Sequence, residues 1–260
     1  MIDVGEYNRE QWNARVAAGN EWTLPVDGEA IARARQGDWE VVLTPVKPVP
    51  REWFGDIAGK DMLGLASGGG QQCPIFAAAG ANVSCLDASD AQLLRDEEVA
   101  GREGLRIRTV QGFMHDLSVF EDGSFDIVFN PCSTAFAPDV LPVWKECARV
   151  LRPGGVLMTG FCNPAIFIFD LLALDRGEIV ARHSLPYSDL DLPEAERAAL
   201  LASNPDDKTI CFSHTLETQI GGQSAAGLQI TGMYEDDWAK PDALSHLFPP
   251  FIATRAVKSA

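Results

Sequence analysis

The stretch Asp61-Met-Leu-Gly-Leu-Ala-Ser-Gly-Gly-Gly-Gln-Gln72 decides the fold, because a short apolar run enters a glycine-rich turn and leaves it as a helix. Asp61 to Leu65 has the length and composition of a buried strand. Gly68, Gly69 and Gly70 allow positive φ and a close approach of the backbone to a ligand. A helix opening after them would direct unpaired N–H groups at that ligand. The stretch therefore predicts a cradle for a nucleotide-like cofactor.

Working outward, the chain alternates apolar β-branched runs with helical stretches, the pattern of βαβ units around a parallel sheet. The second strand is Asn82 to Leu86, ending at Asp87, after which Ser89-x-x-Gln92 forms a capping box and Gly101 and Gly104 mark the helix end. The third and fourth strands are Ile107 to Val110 and Phe125 to Phe129. The helix Leu141 to Leu151 carries Trp144, Cys147, Ala148 and Leu151 on one face; Arg152-Pro-Gly-Gly155 stops it, and the fifth strand runs from Val156 to Phe161. A helix from Thr215 to Ala226 precedes Leu228 to Tyr234 and Phe251 to Val257, two strands whose short connection suits antiparallel pairing.

Two regions lie outside the alternation. Residues 1–55 carry helical stretches at Arg9 to Ala18 and Gly28 to Gln36, a strand-like Trp39 to Leu43, and the run Thr44 to Pro50, which predicts extended polyproline-II geometry. Residues 163–208 form an insertion with an acidic helical stretch, Pro193 to Ala202. The expected organisation is one domain: a cap (1–55), a core (56–162 and 209–260) and a substrate-side insertion (163–208), since insertions at this sheet edge commonly cover the ligand crevice.

The 260 residues are 46% hydrophobic, ample for a sizeable core. A net charge of −16 opposes a phosphate-backbone surface and argues for small molecules over nucleic acid. No basic and apolar leader or membrane-length apolar run is present, so a soluble cytoplasmic protein with no membrane partner is expected. Six cysteines are scattered without a Cys-x-x-Cys pair and read as buried free thiols. Four dispersed histidines complete no metal-ligand spacing, so no metal is expected.

Asp87 lies 19 positions after Gly68, where a carboxylate can accept from both hydroxyls of an adenosine ribose. A dinucleotide site wants G-x-G-x-x-G, but Cys73 stands where the third glycine belongs. S-adenosylmethionine carries no phosphate and asks less of that turn, which favours it over NAD(P).

In this order of motifs the chain resembles the class I S-adenosylmethionine-dependent methyltransferases from Asp61 to its end. The family's first motif aligns onto Leu63 to Gly70, with Gly68 and Gly70 matching, the family's acid falling on Gly64 and its first glycine on Ala66. Leu151 to Leu157 matches the family's stretch before the fifth strand. The resemblance implies an α/β Rossmann-like sheet of seven mostly parallel strands, order 3-2-1-4-5-7-6, with helices on both faces. It implies S-adenosylmethionine bound by Ala66, Ser67, Gly68, Gly69, Gly70, Gln71 and Gln72, by Asp87, Ala88 and Ser89, by Met114, His115, Asp116 and Leu117, and by Asn130. Asp87 would hold the ribose and Asp116 would flank the adenine amino group. More narrowly, Ala66 to Gln72, Trp12-Asn13, Asn20 to Trp22 and Ser213 to Glu217 resemble a bacterial subgroup.

Methyl transfer is an in-line displacement at the methyl carbon of a sulfonium with a neutral leaving group, so holding the nucleophile close and aligned supplies much of the catalysis. The residues after the fourth strand face the methyl in this family. Asn130-Pro131 is similar to the Asn-Pro turn of amino-methylating enzymes, which makes Asn130 and Ser133 catalytic candidates, with His214 as a base. The expected function is methyl transfer to a small-molecule N, O or S nucleophile. The alternatives are an NAD(P)-dependent oxidoreductase and a non-catalytic S-adenosylmethionine binder.

Overall fold

The computed structural model describes residues 2–259. Its strands are β1 (Asp61–Leu65), β2 (Asn82–Asp87), β3 (Ile107–Gln111), β4 (Phe125–Asn130), β5 (Leu151–Cys162), β6 (Leu228–Asp236) and β7 (Phe251–Lys258). They form one sheet in the order β3-β2-β1-β4-β5-β7-β6. The first five strands pair in parallel, and β7 is antiparallel to β5 and β6. The helices are α1 (Val4–Ala18), α2 (Gly28–Arg35), α3 (Gln72–Ala78), α4 (Asp90–Glu103), α5 (Leu141–Val150), α6 (Leu171–Leu174), α7 (Glu194–Ser203) and α8 (Gly222–Ala225). None is long and apolar enough to cross a membrane.

Both sheet faces are buried, which is why the inner strands read as nearly continuous apolar runs. Met62, Cys85, Ile127 and Phe129 share a core with Ala34 of α2, Phe76 of α3, and Trp39 and Phe54. Leu63, Leu65, Leu86 and Val128 point the other way and pack with Val143, Trp144 and Cys147 of α5. The Trp144 indole N–H donates to the Thr218 carbonyl at 3.0 Å, tying α5 to a π-type turn, Glu217–Gly221, that leads into α8.

Three local readings change. Arg152-Pro-Gly-Gly155 does not precede the fifth strand but bulges inside it: the register jumps from Phe125↔Leu151 to Ile127↔Val156, with Gly154 at φ 78°. The Arg152 guanidinium donates to Asp126 at 2.8 Å and Asp61 at 2.7 Å, fastening the amino ends of β4 and β1. The Trp39 to Leu43 segment joins no sheet. It makes one bridge, Val42↔Pro48, and the Val49 N–H donates to the Val41 carbonyl, so Thr44 to Pro50 doubles back rather than running extended. What holds it is burial of Trp39, Val41 and Leu43 and a bond from the Cys132 N–H to the Leu43 carbonyl. Finally, α1 starts at Val4 because the Asp3 carboxylate caps it, accepting from the Glu6 N–H at 3.2 Å.

Candidate functional site

The glycine turn sits where β1 ends. Ala66 takes φ 47°, a left-handed conformation that explains why the related motif carries glycine there. Its N–H donates to the Leu86 carbonyl at 2.7 Å. Gly69 and Gly70 follow at φ 110° and 72°. A Cβ on Gly68 would stand 2.8 Å from Gln92, and one on Gly70 2.8 Å from both Pro25 and the Arg95 carbonyl. The missing side chains thus let the turn lie pressed between α4 and the segment that precedes α2.

Asp87, at the end of β2, faces this turn. One carboxylate oxygen accepts from the Gly68 N–H and the other from the Ser89 N–H, both at 2.9 Å. Burial pushes its pKa up to about 6 against those two bonds. Each oxygen keeps a second acceptor position, the capacity two ribose hydroxyls require. Ser89 caps α4 by accepting from the Gln92 N–H at 3.0 Å. The return bond of the expected capping box is not made: the Ser89 N–H is taken by Asp87, and the Gln92 side-chain oxygen is buried without a partner.

Beneath the turn the structure gathers residues that sequence spacing kept apart. Asp96 of α4 accepts from the Gly69 N–H at 3.1 Å, and the Cys85 sulfur lies 3.9 Å from the same oxygen. Burial pushes Asp96 up to about 8. A Cβ on Gly64 would overlap the Cys73 sulfur, so the acid that the related motif places there has no room. The six cysteines are free thiols, as expected. Though scattered in the sequence, Cys73 and Cys85 meet in space and cluster with Asp96.

Where the adenine is expected, Phe113 and His115 stack with ring centroids 5.7 Å apart, and Gly5 of α1 approaches the Phe113 ring so closely that a Cβ there would sit 2.9 Å away. His115 and Asp116 are exposed, and Met114 packs partly against the core. Asp116 accepts from the Ser118 N–H at 3.0 Å, and the Ser118 side chain together with this bond holds its carboxyl below the usual range. Two expected cofactor residues are spent elsewhere. Leu117 is fully buried in the core, and its N–H donates to Glu146 at 2.8 Å. The Gln71 amide donates to the Glu21 and Leu24 carbonyls and so fastens the N-terminal segment instead. Ala88 accepts at its carbonyl from Gln111, Gln72 opens α3, and the Ser67 hydroxyl is buried without a partner.

At the end of β4, Asn130 is fully buried and both its amide N–H donors are used. It donates to the Leu65 carbonyl and the Ser133 hydroxyl at 2.8 Å each and accepts from Thr159 at 2.9 Å. Its side chain braces the sheet edge, with one acceptor position on Oδ1 still open. His214 is buried with Nε2 facing the Thr134 and Ala137 carbonyls at 3.2 and 2.9 Å. Two acceptors there fix the proton on Nε2 and leave Nδ1 with a lone pair. Burial lowers the His214 pKa, keeping the ring neutral. Nearby, the Tyr187 hydroxyl donates to Asp189 at 2.6 Å, and burial raises both groups.

Sequence reasoning missed how α1 spans this edge. Asn13 accepts from the Ser89 hydroxyl at 2.6 Å and the Ala91 N–H at 3.3 Å. Asn8 accepts from the Ile210 N–H at 2.8 Å and donates to its carbonyl at 3.0 Å. Trp12 meets Phe136 edge-to-face at 5.4 Å. The polar asparagines facing inward from a helix were the available signal.

A family model for a methyltransferase domain matches residues 63–159. The chain belongs to the class I S-adenosylmethionine-dependent methyltransferases. Among its relatives, the uncharacterized methyltransferase YbaJ of Bacillus subtilis is 46% identical, with 97% of each chain covered. The ubiquinone biosynthesis O-methyltransferase of Xanthomonas oryzae is 29% identical, over 73% of this chain and 82% of that one. A crystal structure of a putative S-adenosylmethionine-dependent methyltransferase from Listeria monocytogenes shares the fold with a TM-score of 0.60 at 18% identity, covering 88% of this chain and 100% of that one. The protein is thus a methyltransferase whose cofactor is S-adenosylmethionine, and the nicotinamide and non-catalytic readings fall.

Proposed function

We propose that the methyl acceptor is a small-molecule nitrogen, oxygen or sulfur nucleophile, seated at the carboxyl edge of β4 beneath α1 and the 163–208 insertion. The observation that carries this reading is the bracing of that edge from above by Asn8, Trp12 and Asn13, together with the Ser213 N–H bond to the Tyr187 carbonyl at 2.9 Å. Such a covered edge suits a compact acceptor better than a polymer. The net charge of −16 also opposes a nucleic-acid acceptor. The Xanthomonas relative is named for O-methylation in ubiquinone biosynthesis, which agrees with a small acceptor. Within this reading residues 1–55 are a cap, 56–162 and 209–260 the core, and 163–208 the substrate-side insertion.

The residues present fit the cofactor: a turn that Cβ atoms would obstruct, an orphaned Ser67 hydroxyl, and a buried carboxylate with spare acceptor capacity. Asp87 would hold the ribose hydroxyls, Ala66 to Gly70 the amino-acid end, and Ala88, Ser89, Met114, His115 and Asp116 the adenosine. When bound, S-adenosylmethionine supplies an electrophilic methyl on a positively charged sulfur. The protein's own work is then orientation and proton removal. Asn130 fixes Ser133, whose hydroxyl orients the acceptor, and His214 takes the acceptor's proton at Nδ1.

The test is incubation of the protein and cofactor with panels of small amines, phenols and thiols, and separately with DNA, RNA and protein, followed by mass spectrometry. Methyl incorporation is expected on the small molecules. Incorporation confined to the macromolecules overturns the reading.

A further inference from the structure

We propose that Cys73, Cys85 and Asp96 form a binding site for one divalent transition-metal ion of the zinc type, placed directly behind the cofactor turn. The three side chains come from the first turn of α3, from β2 and from the middle of α4. All are fully buried, and their ligand atoms lie within 4.8 Å of one another. Points so spaced share a centre within about 2.8 Å of each, so closing to metal distances of about 2.0–2.3 Å takes side-chain shifts below about 1 Å.

A second observation points to a missing ligand. Asp96, fully buried, leaves its Oδ1 without a hydrogen-bond partner. Buried oxygens are rarely left so. Asp96 Oδ2 lies 3.9 Å from the Cys85 sulfur and, while accepting from the Gly69 N–H, keeps a second acceptor position for an ion. The Ser67 carbonyl, 3.8 Å from the Cys73 sulfur, supplies a neighbouring oxygen for the fourth position. Two thiolates with oxygen donors suit zinc rather than magnesium or calcium, whose ligands are oxygens alone. An ion here would join α3, β2 and α4 behind Ser67 and Gly69 and stiffen the turn without touching the reacting atoms. Its binding releases the two thiol protons, and the proton of Asp96 where it is held, to solvent.

The test uses the full chain, freed of metal by a chelator and then titrated with Co2+ as a spectroscopic probe. The folded protein is expected to take up about one equivalent, with a thiolate-to-cobalt charge-transfer band, and to gain thermal stability with Zn2+. Cys85→Ser and Asp96→Asn should each abolish or sharply weaken uptake, while Cys147→Ser, a buried thiol elsewhere, should leave it intact; circular dichroism confirms that each variant is folded. If Cys85→Ser fails to fold, Asp96→Asn alone decides. No stoichiometric band in the folded wild-type protein overturns the site, as does a band that survives Asp96→Asn. An intact mass showing Cys73 and Cys85 joined as a disulfide without metal overturns it too. None of these readouts depends on the methyl acceptor.

Discussion

Gly64 and Cys73 compete for one volume: a side chain at residue 64 would overlap the Cys73 sulfur, so this chain exchanges the acid of the related motif for a thiol reached from α3. Gly64→Ala should therefore destabilise the fold by about 1–3 kcal/mol through overpacking. Adding Cys73→Ala removes the sulfur and should recover most of that loss in urea denaturation. A double variant no more stable than Gly64→Ala would show that the sulfur is not what fills the space.

Ala66 holds a left-handed backbone at φ 47°. Glycine carries no steric penalty there, although its unfolded chain is freer, so Ala66→Gly should stabilise the protein by about 0.5–1 kcal/mol net. Thermal melting of the cofactor-free protein measures it. A lower melting temperature would place the strain elsewhere.

Asp87→Ala should weaken binding of the demethylated cofactor by about 1.5–3 kcal/mol, the range for hydrogen bonds to a charged acceptor. Calorimetric titration is the direct measure. An unchanged Kd would remove Asp87 from the cofactor site, even though the carboxylate would still organise Gly68 and Ser89.

Burial lowers the pKa of His214 in the folded protein below that of the unfolded chain, and the Thr134 and Ala137 carbonyls, with Asp139, oppose the shift only partly. Between the two values the unfolded state binds the extra proton, so stability is present above the unfolded pKa of about 6.5 and falls as pH drops below it. His214→Gln should flatten that acid limb of the stability curve. If the wild-type and variant curves stay parallel below pH of about 6.5, His214 does not titrate with unfolding.

The sheet and its cofactor class were legible because they rest on local patterns: β-branched runs, the glycine turn, and Asp87 at a strand end. Other parts were not legible because they join distant segments. Asn13 meets Ser89 across 76 positions and Arg152 meets Asp61 across 91. No periodicity carries such pairings. Asn130 shows the converse limit: the Asn-Pro pair was visible, but only the neighbouring Leu65, Ser133 and Thr159 reveal that its amide braces the sheet edge. The proline-rich run misled for the same reason, since polyproline geometry yields to burial of Trp39 and Leu43 beside it.

A single helix, α1, is pinned at one end of the edge to Ser89 and at the other to Ile210. Where α1 caps both ligands, as proposed above, their traffic depends on one shared motion, and departure of the spent cofactor would set the turnover rate. Loosening either asparagine anchor would speed exchange while surrendering some protection of the sulfonium from water.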